Sequence, residues 1–218
     1  MSDFFSTLTD NWRLFLEAFT RTVELFALAG LGALVWGTVL AIFRVSPVPA
    51  LRAFGTGYVN LLRNTPLTLV FFFVAFGFPY LEINFDFFVF AVISLVAYTS
   101  AFVCEAIRSG INTVPKGQAE AARSLGLTFA QGLRFVILPQ AVRAVVPPLT
   151  SVANALLKNT TIAAGFSVAE AGSIRANLSE LGYPVLDGLL WVVIGFLILV
   201  IPLTVVQHRL ERRWNVAR

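Results

Sequence analysis

Glu120-Ala121-Ala122-Arg123-Ser124-Leu125-Gly126 is followed, nine residues later, by Val136-Ile137-Leu138-Pro139. This stretch sits in the longest polar interruption of a chain otherwise built from apolar blocks. A polar segment in that setting has no lipid to face and is expected to face a partner. On either side of it the composition is that of a membrane protein. Hydrophobic residues make up 57% of the 218, charged residues 13%, and mean hydropathy is +0.80. A soluble domain carries about 25% charge. Leu25 to Phe43, Asn64 to Leu81, Phe87 to Cys104 and Gly188 to Gln207 hold no charged residue. Each reaches or approaches the roughly 20 residues that cross about 30 Å of hydrocarbon as a helix. A shorter block, Ala144 to Leu157, becomes long enough once Lys158 is included. None of the blocks alternates as a membrane strand would, so the expected fold is an all-α integral membrane protein with about five transmembrane helices.

The expected spans lie near 22–43, 58–79, 87–107, 141–163 and 187–207, with a loop at 108–140 and a basic tail at 208–218. Basic residues crowd one side: Arg44, Arg52, Arg108, Lys116, Arg123, Arg134, Arg143, Arg209, Arg212, Arg213 and Arg218. The other side holds Arg13, Arg21 and Arg175 with most of the acids, Asp3, Asp10, Glu17, Glu82, Asp86, Glu170, Glu180 and Asp187. The positive-inside rule then places the N-terminus outside and the C-terminus in the cytoplasm, which an odd number of spans satisfies. The positive balance is a topology signal and not a nucleic-acid footprint. Residues 1–21 contain five charges and no apolar core, unlike a cleavable signal. Phe4, Phe5, Leu8, Trp12, Phe15, Leu16 and Phe19 recur at helical spacing there. That segment reads as an extracytoplasmic, interfacial amphipathic helix or as a frayed lead-in to span one. Ala29, Ala33, Gly37 and Ala41 follow four-residue steps and form a close-packing face on span one.

In the loop, Pro115 opens a short helix over Lys116 to Leu125, and Gly126 stops it where a left-handed backbone is cheap. Thr128 can cap a second short helix through Phe135, which Pro139 ends or kinks before span four. The product is a cytoplasmic helix–turn–helix elbow between spans three and four. Ala119, Ala121 and Ala122 keep its surface shallow and Leu125 supplies an apolar knob, a shape suited to a cleft in another protein; the alternative is a plain hairpin.

Within the spans, ionisable and polar side chains are the functional candidates. Ser151, Asn154 and Lys158 form one stripe on span four, and Ser94, Tyr98, Ala101 and Glu105 another on span three. Arg63 and Thr65 stand at the start of the second apolar block. Arg63, Thr65, Tyr98, Glu105, Ser151, Asn154 and Lys158 are therefore the candidate lining of a translocation path, in which a cation can meet a carboxylate. Snorkelling of Lys158, or an Arg63–Glu105 ion pair, accounts for the charges equally well. Pro147-Pro148 is expected to kink or break span four, exposing backbone to a cavity or only shaping the bundle. Cys104, the one cysteine, reads as a small buried hydrophobe, and His208 lies in the tail; neither suggests a metal site. An intramembrane enzyme would need paired acids, a Ser/His pair or a metal cluster, which the blocks lack. An autonomous channel or ion-coupled carrier would leave the elbow without a task.

The pattern Glu120-Ala121-Ala122, three residues, Gly126, nine residues, Val136, one residue, Leu138-Pro139 resembles the coupling-loop signature of binding-protein-dependent ABC importer permeases, with Val136 where isoleucine is usual. Arg63-Asn64-Thr65-Pro66-Leu67, Ala97-Tyr98-Thr99-Ser100-Ala101, Glu105-Ala106-Ile107-Arg108-Ser109-Gly110-Ile111, Val114-Pro115-Lys116-Gly117-Gln118 and Leu157-Lys158-Asn159-Thr160-Thr161 are similar to the polar amino acid branch of that family. The resemblance runs over roughly residues 20 to 208. It implies a permease subunit paired with an identical or homologous second permease, two cytoplasmic ATPase subunits and an extracytoplasmic amino-acid-binding protein. It assigns Glu120, Ala121, Ala122, Leu125, Gly126 and Pro139 to ATPase coupling. The chain has no phosphate-binding loop of its own, so ATP and Mg would be used by the partners and no cofactor is expected on this chain. The intramembrane cations Arg63 and Lys158 against the single acid Glu105 favour glutamate or another acidic amino acid as cargo.

Overall fold

A computed structural model describes residues 2–214, with side-chain surroundings for residues 4–212. The end of the expected basic tail, including Arg218, lies outside the described residues. No described residue is in a strand. The helices are α1 (Ser2–Asp10), α2 (Trp12–Val45), α3 (Pro49–Asn64), α4 (Leu67–Tyr80), α5 (Phe87–Asn112), α6 (Lys116–Ser124), α7 (Phe129–Phe166), α8 (Ile174–Glu180) and α9 (Val185–Trp214). Among the described residues α2, α5, α7 and α9 are each long and apolar enough to cross a membrane, and the bent pair α3 and α4 is together long and apolar enough to form a broken fifth span or a re-entrant loop.

α2 lies along α5 as its most extensive neighbour. Ala29, Ala33, Gly37 and Ala41 are all buried, and the reason for small side chains is geometric. A Cβ on Gly37 would sit 2.6 Å from Val103 Cβ and 2.8 Å from the Ser100 carbonyl oxygen. Close backbone approach of this kind stands in for the hydrophobic drive that lipid does not supply.

Four features differ from the sequence expectation. Span one does not start at 22: α2 is continuous from Trp12, so the division at residue 21 falls inside a helix. The N-terminal segment is helical and, beyond either expected form, packs one edge against the rest of the chain. Phe4 stacks on Trp191 at 4.6 Å, Trp191 Nε1 donates to the Phe4 carbonyl at 2.8 Å, and Phe15 and Ala18 bury against Ala171, Ile174 and Leu178. One edge thus seats on α8 and α9, while Phe5, Trp12 and Leu16 stay exposed.

The third difference is in span two, which is not one helix over 58–79. It turns through 110° between α3 and α4. Pro66 disfavours helical backbone at the residue before it, and Thr65 adopts φ −101°, ψ 132°. The fourth is at Pro139, which does not end a helix. A π turn at Leu133–Ile137 absorbs the register change and the chain continues helically through Leu138–Asn159. Pro147 and Pro148 also stay inside that helix, where Thr150 Oγ1 donates to the Pro147 carbonyl at 2.7 Å.

After Asn159, a 3-10 turn at Thr160–Phe166, a left-handed Ser167 (φ 61°) and a second 3-10 turn at Ala171–Ser173 fold back onto α2. The apolar stretches of α7 and α9 leave almost no residue fully buried within this chain, and their side chains are half-buried or exposed. The exposed ones require lipid or another subunit.

Candidate functional site: a cavity between two spans and the elbow that joins them

The elbow forms as its residues dictate. α6 ends at Ser124, the Gly126 N–H donates to the Arg123 carbonyl at 2.9 Å, and the Leu127 N–H donates to the Ala122 carbonyl at 3.1 Å. Gly126 supplies the required φ of +78°. Thr128 caps α7 by a reciprocal box: its Oγ1 accepts from the Gln131 N–H, while Gln131 Oε1 accepts from the Thr128 N–H at 2.9 Å. Ala122 is buried against Gly132, which fixes the angle between the two arms. Glu120, Ala121, Gly126 and Pro139 are exposed. Leu125 is 80% exposed and Phe129, which the sequence reading passed over, 85%. Two bare apolar knobs therefore flank the turn.

A cavity of about 430 Å³ separates α5 from α7, within the size range of small-molecule sites. Tyr98, Thr99 and Phe102 form one wall; Ser151, Val152, Ala155, Leu156 and Asn159 form the other. Thr99 Oγ1 is buried with no hydrogen-bond partner, an acceptor and donor left free beside the cavity. A larger cavity of about 510 Å³ against α2 is almost wholly apolar and offers no polar chemistry beyond Thr99 and Thr150.

Of the seven candidate path residues, Tyr98 and Ser151 line the smaller cavity. Asn154 turns away: it is 8% exposed and donates from Nδ2 to Gln207 Oε1 on α9 at 2.5 Å. Gln207 Nε2 in turn donates to Ser151 Oγ at 2.9 Å. Lys158 is exposed on α7, and the half-buried Thr65 donates to the Leu61 carbonyl at 2.8 Å, bracing the α3–α4 corner. Arg63 and Glu105 are brought together, 3.3 Å apart, and Arg44 at the end of α2 binds the other oxygen of Glu105. One carboxylate on α5 thus bridges two guanidiniums, one from α2 and one from α3. The Arg63 guanidinium also lies 6.0 Å over the Phe102 ring, at the cavity wall. The sequence reading missed Thr99, Phe102, Asn159, Arg44 and Gln207. Asn159 adjoins Lys158 in a stretch already noted for its resemblance, and Arg44 closes the charge-free block of span one. Nothing local marks Gln207. No group of three or more potential metal ligands occurs among the described residues.

The sequence pattern of the binding-protein-dependent transport system inner membrane components matches residues 33–216. The chain belongs to that family. The permease is 42% identical over 217 residues to the glutamate transport system permease protein GluC of Corynebacterium glutamicum, covering 93% of this chain and 95% of that one. It is 37% identical to the probable glutamine ABC transporter permease protein GlnM of Bacillus subtilis, over 95% and 96% of the two chains. It is 32% identical to the glutamate/aspartate import permease protein GltJ of Escherichia coli, over 78% and 80%. Among solved structures it superposes on an amino acid ABC transporter chain with TM-score 0.90 and 27% identity, covering 97% and 98%. The permease is thus a multi-pass cytoplasmic-membrane transport subunit of an amino acid ABC importer.

Proposed function

We propose that this permease subunit forms half of the passage by which glutamate or another acidic amino acid is imported, driven by ATP that two separate cytoplasmic subunits hydrolyse. A second permease, identical or homologous, completes the passage, and an extracytoplasmic binding protein delivers the cargo. The N-terminus lies outside and the C-terminus in the cytoplasm. The ATPase subunits, which use ATP and Mg, dock on the elbow through Leu125 and Phe129, with Glu120, Ala121, Ala122, Gly126 and Pro139 shaping the contact.

The observation that carries this reading is connectivity: the elbow is the link between α5 and α7, the two helices that wall the cavity carrying Tyr98, Thr99, Ser151 and Asn159. Tyr98, Thr99, Ser151 and Asn159 offer hydrogen bonds to a polar cargo there. Preference for an acidic cargo is supported by the likeness to glutamate permeases and by the cluster at Glu105, where two guanidiniums face one carboxylate. Reconstituting the chain with its partner subunits in liposomes and measuring labelled glutamate uptake tests it. ATP-dependent uptake, competed by aspartate better than by glutamine or cystine, supports the proposal. Equal competition by glutamine removes the acidic preference. Uptake by the chain without any ATPase turns the reading to a channel or ion-coupled carrier.

A further inference from the structure

Glu170 is fully buried, on the segment between α7 and α9 that the transport reading leaves without a role. Its Oε1 accepts from the Gly172 N–H at 2.8 Å, and its Oε2 lies 3.1 Å from Thr22 Oγ1 on α2. Thr22 Oγ1 also accepts from the Ala171 N–H at 3.0 Å and lies 3.1 Å from the Ala18 carbonyl oxygen. Thr22 has one hydroxyl proton and two lone pairs. With Glu170 ionised, that proton serves either Glu170 or Ala18, and one contact is left as two facing acceptors. With Glu170 protonated, the acid donates to Thr22, Thr22 donates to Ala18, and every contact has a proton. Gly172 is part of the same clasp, because a Cβ there would meet Glu170 Oε1 at 2.5 Å.

Among the described residues no cation pairs with the buried group. The charged residues on the elements around it are Arg13, Glu17, Arg21, Glu24 and Arg44 on α2, Arg134, Arg143 and Lys158 on α7, Arg175 and Glu180 on α8, and Asp187, Arg209, Glu211, Arg212 and Arg213 on α9. Arg21 pairs with Glu24 at 2.9 Å, and none of the others forms an ion pair with Glu170 among the described residues.

We propose that Glu170 is a neutral carboxylic acid latching the segment 160–173 onto α2, and that its ionisation releases the latch. Burial pushes the carboxyl up to about 7, and the Gly172, Thr22 and Ala171 hydrogen bonds only partly oppose this. Since the folded-state value is the higher, the clasp's contribution is complete below the ordinary carboxylate range and is lost as pH rises through about 7. The segment carries Thr160 and Thr161 directly beyond the cavity residue Asn159, so release loosens the outer end of α7.

Infrared difference titration of the full purified chain in lipid nanodiscs tests the latch independently of transport. The expected result is a carboxylic acid C=O band that disappears with a midpoint near 7, is absent in Glu170→Gln, is unmoved in Thr22→Ser and shifts in Thr22→Val. A wild-type spectrum with no such band between about pH 5 and 9, or a band that survives in Glu170→Gln, overturns the proposal. Should Glu170→Gln fail to fold, an unshifted midpoint in Thr22→Val overturns it equally. The consequence for transport rests on the importer reading: uptake by the assembled complex varies with external pH in wild type and is flat in Glu170→Gln, whose amide mimics the neutral acid. Flat wild-type uptake beside a titrating band overturns the release step.

Discussion

Gly126→Val is the sharpest perturbation of the elbow, and its size follows from the backbone. Gly126 holds φ at +78°, and a Cβ there would have nothing within 4 Å. The penalty is therefore conformational, not steric. A left-handed residue with a Cβ costs roughly 1–2 kcal/mol, and a strained β-branched one up to about 3 kcal/mol. Asparagine tolerates this conformation better than alanine or valine. Each 1.4 kcal/mol is a factor of about ten, so valine reduces the ratio of formed to unformed turn by up to about a hundredfold, asparagine by far less. The assay is ATP hydrolysed per labelled amino acid imported by the complex in liposomes. Coupling should fall in the order glycine, asparagine, alanine, valine, with the subunit still inserted. If asparagine is worse than alanine, side-chain volume against a docked partner sets the order and the backbone argument is wrong. Wild-type coupling in Gly126→Val removes the elbow from the coupling path altogether.

Glu105→Gln leaves the Arg44 guanidinium, 12% exposed, without its counter-charge. The loss should be roughly 2 kcal/mol, below the range for a fully buried pair because the Glu105 side chain is 33% exposed; a lowered melting temperature of the purified chain checks it. Arg63→Gln, at 44% exposure, should cost under about 1 kcal/mol in the same measurement. Leu125→Ala and Phe129→Ala should leave the melting temperature unchanged, since both side chains are bare, yet weaken binding of a purified ATPase partner by about 2 kcal/mol or more, read as a dissociation constant. Gly110→Ala should destabilise the chain by about 1–3 kcal/mol, because the new Cβ would lie 2.6 Å from Val145 Cα; an unchanged melting temperature refutes the close approach.

What the sequence disclosed, and what it hid, divides along physical lines. Charge-free blocks mark apolar surroundings, so α2, α5 and α9 were legible from composition. Gly126 and Thr128 act through local backbone chemistry, so the elbow was legible too. Hydropathy carries no direction, however, and the block beginning at Asn64 read as part of a straight span although Pro66 alone turns the chain. The periodic aromatics of the first 21 residues identified an apolar edge but not whether lipid or protein covers it; Trp191 and Ile174 supply that cover from far along the chain. Asn154 illustrates the same limit. Its spacing from Ser151 placed it on a polar stripe, yet its partner is Gln207, 53 positions away, and that pairing takes it out of the cavity wall. Helical period tells which residues share a face, and only packing tells what the face meets.

The geometry also explains how motion at the elbow can reach the cavity under the importer reading. α5 enters the elbow after Asn112 and α7 leaves it at Phe129, so the elbow has one arm on each cavity wall. Gly110 lets the α5 backbone touch that of Val145 near this junction. A contact between backbones cannot yield by rotamer change, so it serves as a fulcrum. Tyr98 and Phe102 lie two to three helical turns from Gly110, about 12–18 Å at 1.5 Å per residue, and Ser151 and Asn159 lie about 9–21 Å from Val145. Phe129 at the elbow lies about 24 Å from Val145 along α7, so a rotation of a few degrees about the fulcrum displaces the elbow end and the cavity end of α7 by comparable amounts in opposite senses. The bridge from Glu105 to Arg44 and Arg63 lies between fulcrum and cavity and ties α5 to α2 and α3, so separation of α5 from α7 does not require α5 to leave its other neighbours. The middle of α7 is half-buried in this chain, and Gln207 on α9 holds it at Ser151 and Asn154. Gln207 thus ties α9 to the cavity wall, so under the importer reading a movement of α7 carries α9 with it.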